Sequence, residues 1–360
     1  MNLSAEHIQV LAAETGFRAE TLEKVIRLGE LAADIGRHPL LSRVLALKGG
    51  TALNLMFGSP ARLSVDLDFN YIGQEERAGM LADRPEVERA ILIIGKGQGY
   101  RVQQSRDAHA GRKIYFSYAS SAGTLDRIEV DLNYLFRVPL GDVTTRPLWQ
   151  PPGVASPDVR VVPLEELFTG KLRATLDRAM PRDLFDTIRL PGYGTEIWDT
   201  QRLRRIHVAL AATLPHPLYQ YGQDRFERVT DRSIEEQLVP MLHGGETTVA
   251  NELRQRAWSV MEPLVTLDDT EQEYIDRVHA GELSPELLFP DDEELANRLT
   301  RYPALLWKIE NVKHHLFEVT HTGLIFRVEC LKKMKKTGLN IGKMWGWCIL
   351  SDTKLIQVNI

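Results

Sequence analysis

Apolar and polar positions alternate strictly in three short stretches of this chain, and the three share one design. Over residues 64–71, Val65, Leu67 and Phe69 point one way while Asp66, Asp68 and Asn70 point the other. In "RKIYFSY", Ile114, Phe116 and Tyr118 alternate with Lys113, Tyr115 and Ser117. In "RIEVDLNYLF", Ile128, Val130, Leu132 and Tyr134 alternate with Glu129, Asp131 and Asn133. A period of two predicts strands, each with one apolar face and one face of acids and polar groups. A mixed sheet packed on helices, with its polar face open to a ligand, accommodates all three.

Elsewhere the period is helical. Residues 4–36 place Ile8, Leu11, Leu22, Val25, Ile26 and Leu28 at helical spacing among charges. "SRVLALKGG" reads as a short buried strand ending in a glycine turn. "TALNLMFG" follows as a helix start that Gly58 and Pro60 stop. From about residue 163, "PLEELFTGKLRATLDRA" sets Leu164, Leu167, Phe168, Leu172, Leu176 and Ala179 on one stripe. "MPRDLFDTIRL" restarts a helix after Pro181, "LPGYGTEIW" reads as a loop, and "HGGETT" as another break. The predicted class is α+β: a mixed α+β half over 1–160, then a helical half over 161–316. No internal repeat is visible.

Composition adds a boundary. Hydrophobic residues make up 43% and charged residues 26%, ordinary values for a globular protein. The net charge of −5 is unevenly spread. Residues 317–360 hold seven Lys/Arg and three Asp/Glu, a balance of +4, which leaves 37 and 46, or −9, for the first 316. Both cysteines, Cys330 and Cys348, lie in that basic tail, as does "LKKMKK" at 331–336. A cysteine-free body argues against a disulfide scaffold or a thiolate zinc site. No apolar run reaches the roughly 18 residues of a membrane span, and the acidic N-terminus does not read as a signal peptide. The expected compartment is the cytoplasm.

Candidate chemistry centres on "LKGGTALNLMFGSPARLSVDLDFNYIG". Residues i and i+2 on a strand share a face with Cα atoms roughly 6–7 Å apart. Asp66 and Asp68 can therefore converge on a pair of Mg²⁺ ions, with Asp131 supplying a third carboxylate if its strand is a neighbour. Two ions roughly 3.5–4 Å apart form the clamp used for in-line phosphoryl and nucleotidyl transfer. Asp131 is then placed to hold the ion near the nucleophile and to accept its proton. Gly49 and Gly50 let backbone approach phosphate, and the Thr51 hydroxyl and helix amides can donate to it. Each feature alone fits a solvated acid or a plain turn; their order and shared face favour a site.

Lys171 and Arg178, seven residues apart, share a helical face opposite the apolar stripe. Gripping a triphosphate and lining a solvated face are both consistent with that placement. Asp183 and Asp186 sit at a helix start, where acids favour the dipole, and can also orient Lys171 or Arg178 by ion pairing. His207, His216, His243, His314 and His315 show no metal-ligand spacing and read as structural.

With "GGT", "DLD", "EVD" and "GKLRATLDRAMPRDLFD" in place, the chain resembles the AbiEii/MenT family over residues from about 40 to 316. These are nucleotidyltransferase-like toxins of bacterial toxin–antitoxin and phage-defence systems. The resemblance implies a polymerase-β-like nucleotidyltransferase domain followed by a helical C-terminal domain. It implies Gly50 and Thr51 at the nucleotide phosphates, Ser64 beside the metal site, Asp66 and Asp68 as metal ligands, and Lys171 with Asp183 in support. Asp131 matches the third carboxylate of the wider superfamily. Mg²⁺ and an NTP are the implied cofactors, the 3′ end of tRNA the implied acceptor, and a cognate antitoxin the implied partner. Transfer to a protein side chain and NTP binding without turnover are the competing readings. An acidic body is unexpected for a tRNA binder, so local basic patches have to supply the phosphate contacts.

Overall fold

The computed structural model describes residues 4–314. Compactness divides the chain into Met1–Ile309 and Glu310–Ile360; of the second unit only 310–314 is described, as helix. His315 and the tail 317–360, with Cys330, Cys348 and the basic 331–336, lie outside the described residues.

The chain opens with α1 (Ala5–Thr15) and α2 (Ala19–Arg37), split at Gly16, whose φ of 72° only glycine adopts without strain. The apolar positions at helical spacing are buried, Ile8 and Leu11 on α1 and Leu22, Val25, Ile26 and Leu28 on α2, while Val10 faces out. A short α3 (Leu41–Val44) leads into β1 (Leu45–Lys48). The two glycines after it do not form a separate turn. They are the first residues of α4 (Gly49–Met56), which leads to β2 (Asp66–Tyr71).

After α5 (Arg77–Gly97) come β3 (Arg101–Gln104), β4 (Gly111–Ala119), β5 (Leu125–Asn133), β6 (Thr144–Pro147) and β7 (Asp158–Val161). They form a seven-stranded mixed sheet in the order β3-β4-β5-β2-β1-β7-β6. The alternation along β2, β4 and β5 sends Leu67, Phe69, Ile114, Phe116, Ile128, Val130 and Leu132 into the core. There α2 packs on β2, β5 and β7.

The second half is helical, beginning with α6 (Leu164–Arg178) and α7 (Pro181–Tyr193). Both pack on α4, so they meet the sheet near its glycine-led helix. The "LPGYGTEIW" loop expected from sequence is a correction. α7 continues through Pro191 to Tyr193, and α8 (Thr195–Trp198) follows at once. Proline in the last turn forfeits one hydrogen bond, while buried Leu184, Phe185 and Leu190 hold the helix in the core.

Near the start of α6, Glu166 is buried and accepts a hydrogen bond from the Leu140 amide at 2.6 Å. Burial pushes its carboxyl up to about 8. Between the ordinary value and about 8 the folded chain therefore binds more protons than the unfolded one. This group's contribution to stability is full in acid and falls as pH rises through that window, by about 1.4 kcal/mol per pH unit. Glu166→Gln removes that slope. Urea midpoints should be similar for the two proteins at pH 5, and Glu166→Gln should be the more stable at pH 8.

Candidate active site

β2 and β5 run parallel, with Asp68 opposite Asp131 and Asp66 opposite Glu129. On the other side of β2, Lys48 of β1 stands opposite Asp68. On the far side of β5, Lys113 of β4 stands opposite Asp131, and Tyr115 opposite Glu129. Directly opposite residues share a face. One row therefore reads Lys48, Asp68, Asp131, Lys113 across four strands, and the next reads Asp66, Glu129, Tyr115. With strands about 4.8 Å apart, the register brings Asp66, Asp68 and Asp131 to one patch of the sheet.

The patch is electrostatically tense. Burial raises the Asp66 carboxyl and the Asp68 charge adds to the rise, against Arg182, whose guanidinium lies 4.0 Å away. Burial also raises Asp131, which Lys48 draws down and Asp68 pushes up. Lys113 donates to Glu129 and lies 3.6 Å from Asp131. Clustered hard oxygen donors with excess negative charge suit a divalent cation such as Mg²⁺. Among the described residues no three His, Cys, Asp or Glu side chains converge on a single point. Holding an ion therefore calls for the carboxylates to rotate toward one another, a side-chain movement on a fixed backbone.

The start of α4 faces these carboxylates. Gly49 has φ 73°, and a Cβ built on it would collide with the Asp68 carboxylate. A Cβ on Gly50 would lie 3.0 Å from the Arg62 guanidinium and 3.1 Å from the Ser64 hydroxyl. Both glycines thus hold α4 close against the site. Thr51 is buried and its hydroxyl donates to the Asp66 carbonyl, tying α4 to the start of β2. That leaves the first-turn amides, rather than the hydroxyl, to face an anion.

Gly49→Ala should cost about 1–2 kcal/mol in backbone strain and displace Asp68. A misplacement of that kind lowers turnover by about a hundredfold. Gly58, with φ 90° and nothing within 4 Å of its Cβ position, supplies the control. Gly58→Ala should lose similar stability and keep its activity; equal activity loss in both would remove the site explanation.

Lys171 is buried, not on a solvated face. Its ammonium lies 3.1 Å from Asp183 and 2.7 Å from Asp186. Arg178 is 59% exposed and pairs with Asp183 at 2.8 Å. Burial pushes Asp183 up, but Lys171 and Arg178 outweigh it and hold the carboxyl below its ordinary value. Asp186 accepts from both Arg62 Nε (2.6 Å) and Nη2 (2.5 Å). Despite complete burial, Arg62 and Lys171 keep it far below the usual carboxylate range. These ion pairs join the strand-led and helical parts of the chain beneath α4.

Sequence reasoning missed Lys48, Glu129 and Arg62. Lys48 and Glu129 belong to the site only through strand register. Arg62 has a signal in "ARLSVDLD", but its partner is 124 residues away. Among the histidines, His207 is fully buried, and burial draws it down to about 3, so it is a neutral core group.

A family model described as "Nucleotidyl transferase AbiEii toxin, Type IV TA system" matches residues 33–258. The match ends short of the 40–316 span read from sequence. Among solved structures, MenT4, a nucleotidyltransferase toxin from Mycobacterium tuberculosis H37Rv, is 17% identical with a TM-score of 0.55. That likeness covers 81% of this chain and 98% of that one, and at this identity it shows the fold. A non-canonical poly(A) polymerase complex, GLD-2 with GLD-3, is 13% identical over 85% of this chain and 98% of that one. Its TM-score of 0.27 carries no argument. A search of curated proteins finds no match.

Proposed function

We propose that this chain, which belongs to the AbiEii family of nucleotidyl transferase toxins, transfers a nucleotide from an NTP to the 3′ hydroxyl of an RNA. The acceptor end of tRNA is the preferred acceptor, and its modification blocks translation. The observation that carries the proposal is the Lys48–Asp68–Asp131–Lys113 row with Asp66 beside it, facing the glycine-led start of α4.

In this reading Asp66, Asp68 and Asp131 hold Mg²⁺, which supplies charge neutralisation of the triphosphate and a lower pKa for the attacking hydroxyl. Asp131 takes the hydroxyl proton as the oxygen bonds to the α-phosphorus, and pyrophosphate leaves. Gly49, Gly50 and Thr51 offer backbone amides to phosphate oxygens. Ser64 stands behind Gly50. Lys171, oriented by Asp183, supports the phosphate side together with Arg178. α6 and α7 thereby complete a site that the 1–160 half begins.

The family is one half of a toxin–antitoxin system, so a cognate antitoxin is the expected partner, with phage defence as the setting. The proposed compartment is the cytoplasm, where tRNA is used; separately, among the described residues no helix is long and apolar enough to cross a membrane. The test is incubation with total tRNA, Mg²⁺ and each α-labelled NTP. Label in RNA supports the proposal and identifies the base. Label in protein moves the acceptor to a side chain, and no label with NTP bound leaves a binding protein.

A further inference from the structure

We infer that the open face of the sheet beyond the carboxylates, centred on Tyr115, is the docking platform for the single-stranded 3′ end of the acceptor RNA. The inference rests on the proposed transfer to RNA and specifies where that RNA lies.

The row that begins with Asp66 and Glu129 continues through Tyr115 of β4 to Gln103 of β3. The next row runs Arg127, Ser117, Arg101. Tyr115 is two strands from Asp66, hence about 10 Å along the sheet. Its placement is unusual among the aromatics of the strands, where Phe69 and Tyr71 are buried. The neighbouring aromatics Phe116, Tyr118 and Tyr134 are buried with the core. Tyr115 instead stands half-buried on the polar face, where no core packing calls for a ring.

The Arg127 guanidinium lies over that ring, 5.0 Å from its centre. Stacked tyrosine and arginine planes are the surfaces on which splayed RNA bases rest. Charge agrees with this occupant. Beyond the carboxylate rows, the charged residues on this face are Arg127 and Arg101, both exposed and both basic. They lie in a chain whose net charge is −5. They supply a local basic patch for phosphate contacts. An RNA end lying along the rows would pass its bases over Tyr115 and bring its terminal hydroxyl to the carboxylates.

The test is fluorescence anisotropy of the full chain with a short labelled single-stranded RNA. Wild type should bind, Tyr115→Ala should bind about tenfold more weakly, and Tyr115→Phe, which keeps the ring, should stay within about twofold of wild type. Arg101→Ala should lower the slope of log affinity against log salt by about 0.7, one phosphate contact on a single strand. The platform is overturned if wild type binds no single-stranded RNA, if Tyr115→Ala binds like wild type, or if Tyr115→Phe is as weak as Tyr115→Ala. Failure of the transfer reading looks different. Label would then appear in protein while RNA binding still depended on Tyr115. Conversely, RNA labelling with an acceptor KM that ignores Tyr115→Ala would keep the transfer and discard the platform.

Discussion

Asp68→Ala should abolish nucleotidyl transfer, by about a thousandfold or more, while leaving the folding midpoint unchanged or slightly raised. Asp68 occupies the centre of the patch, opposite Lys48 on one side and Asp131 on the other, with Asp66 two residues away on its own strand. Removing the central oxygen donor forfeits several kcal/mol of charge stabilisation at the reacting phosphate. Its charge also contributes to the raised Asp66 and Asp131 carboxyls, so its loss relieves repulsion in the folded state. Steady-state transfer and a thermal melt on the same preparation check both halves. Activity that survives Asp68→Ala would place the chemistry elsewhere.

The largest stability effect is expected at Asp186. Its carboxylate is completely buried and receives Arg62, Lys171 and Asn54. Asp186→Ala leaves Lys171 with Asp183, but leaves the buried Arg62 guanidinium with the Leu63 carbonyl as its remaining hydrogen-bond acceptor. An uncompensated buried charge costs about 3–5 kcal/mol. Asp183→Ala should cost less, because Lys171 keeps Asp186 and Arg178 is largely in water. Urea denaturation of the two variants gives the order directly. If Asp183→Ala proves the more damaging, the Arg62–Asp186 pair is not the element that locks the helices to the sheet.

Local periodicity revealed much of this arrangement, and its reach explains both what was found and what was not. Alternation in "VDLDF" and "EVDLN" assigns Asp66, Asp68 and Asp131 to polar strand faces, because a period of two is a property of the strand itself. Which strands are neighbours is not a local property. Lys48 therefore looked like the end of a strand, and Glu129 like one more polar-face residue beside Asp131, until the register placed them in the carboxylate rows. The same holds for Lys171. Helical spacing shows that it lies away from the apolar stripe, yet a second wall of ion-paired acids covers that side too. Arg62 and Asp186 are far apart in the chain and meet only when α7 packs on α4. At "LPGYG", turn-forming composition outweighed the apolar positions that carry α7 to Tyr193, a case of tertiary packing overriding local propensity.

The patch of carboxylates is expected to move a nucleotide rather than a phosphate. The most direct measurement offers the protein one NTP labelled in turn at the α- and the γ-phosphate, with RNA, Mg²⁺ and an Asp68→Ala control. Label entering the acceptor from the α position, absent from the γ position and absent in Asp68→Ala, is the predicted result. Label entering from the γ position, or entering equally with Asp68→Ala, would rule out nucleotidyl transfer by this patch.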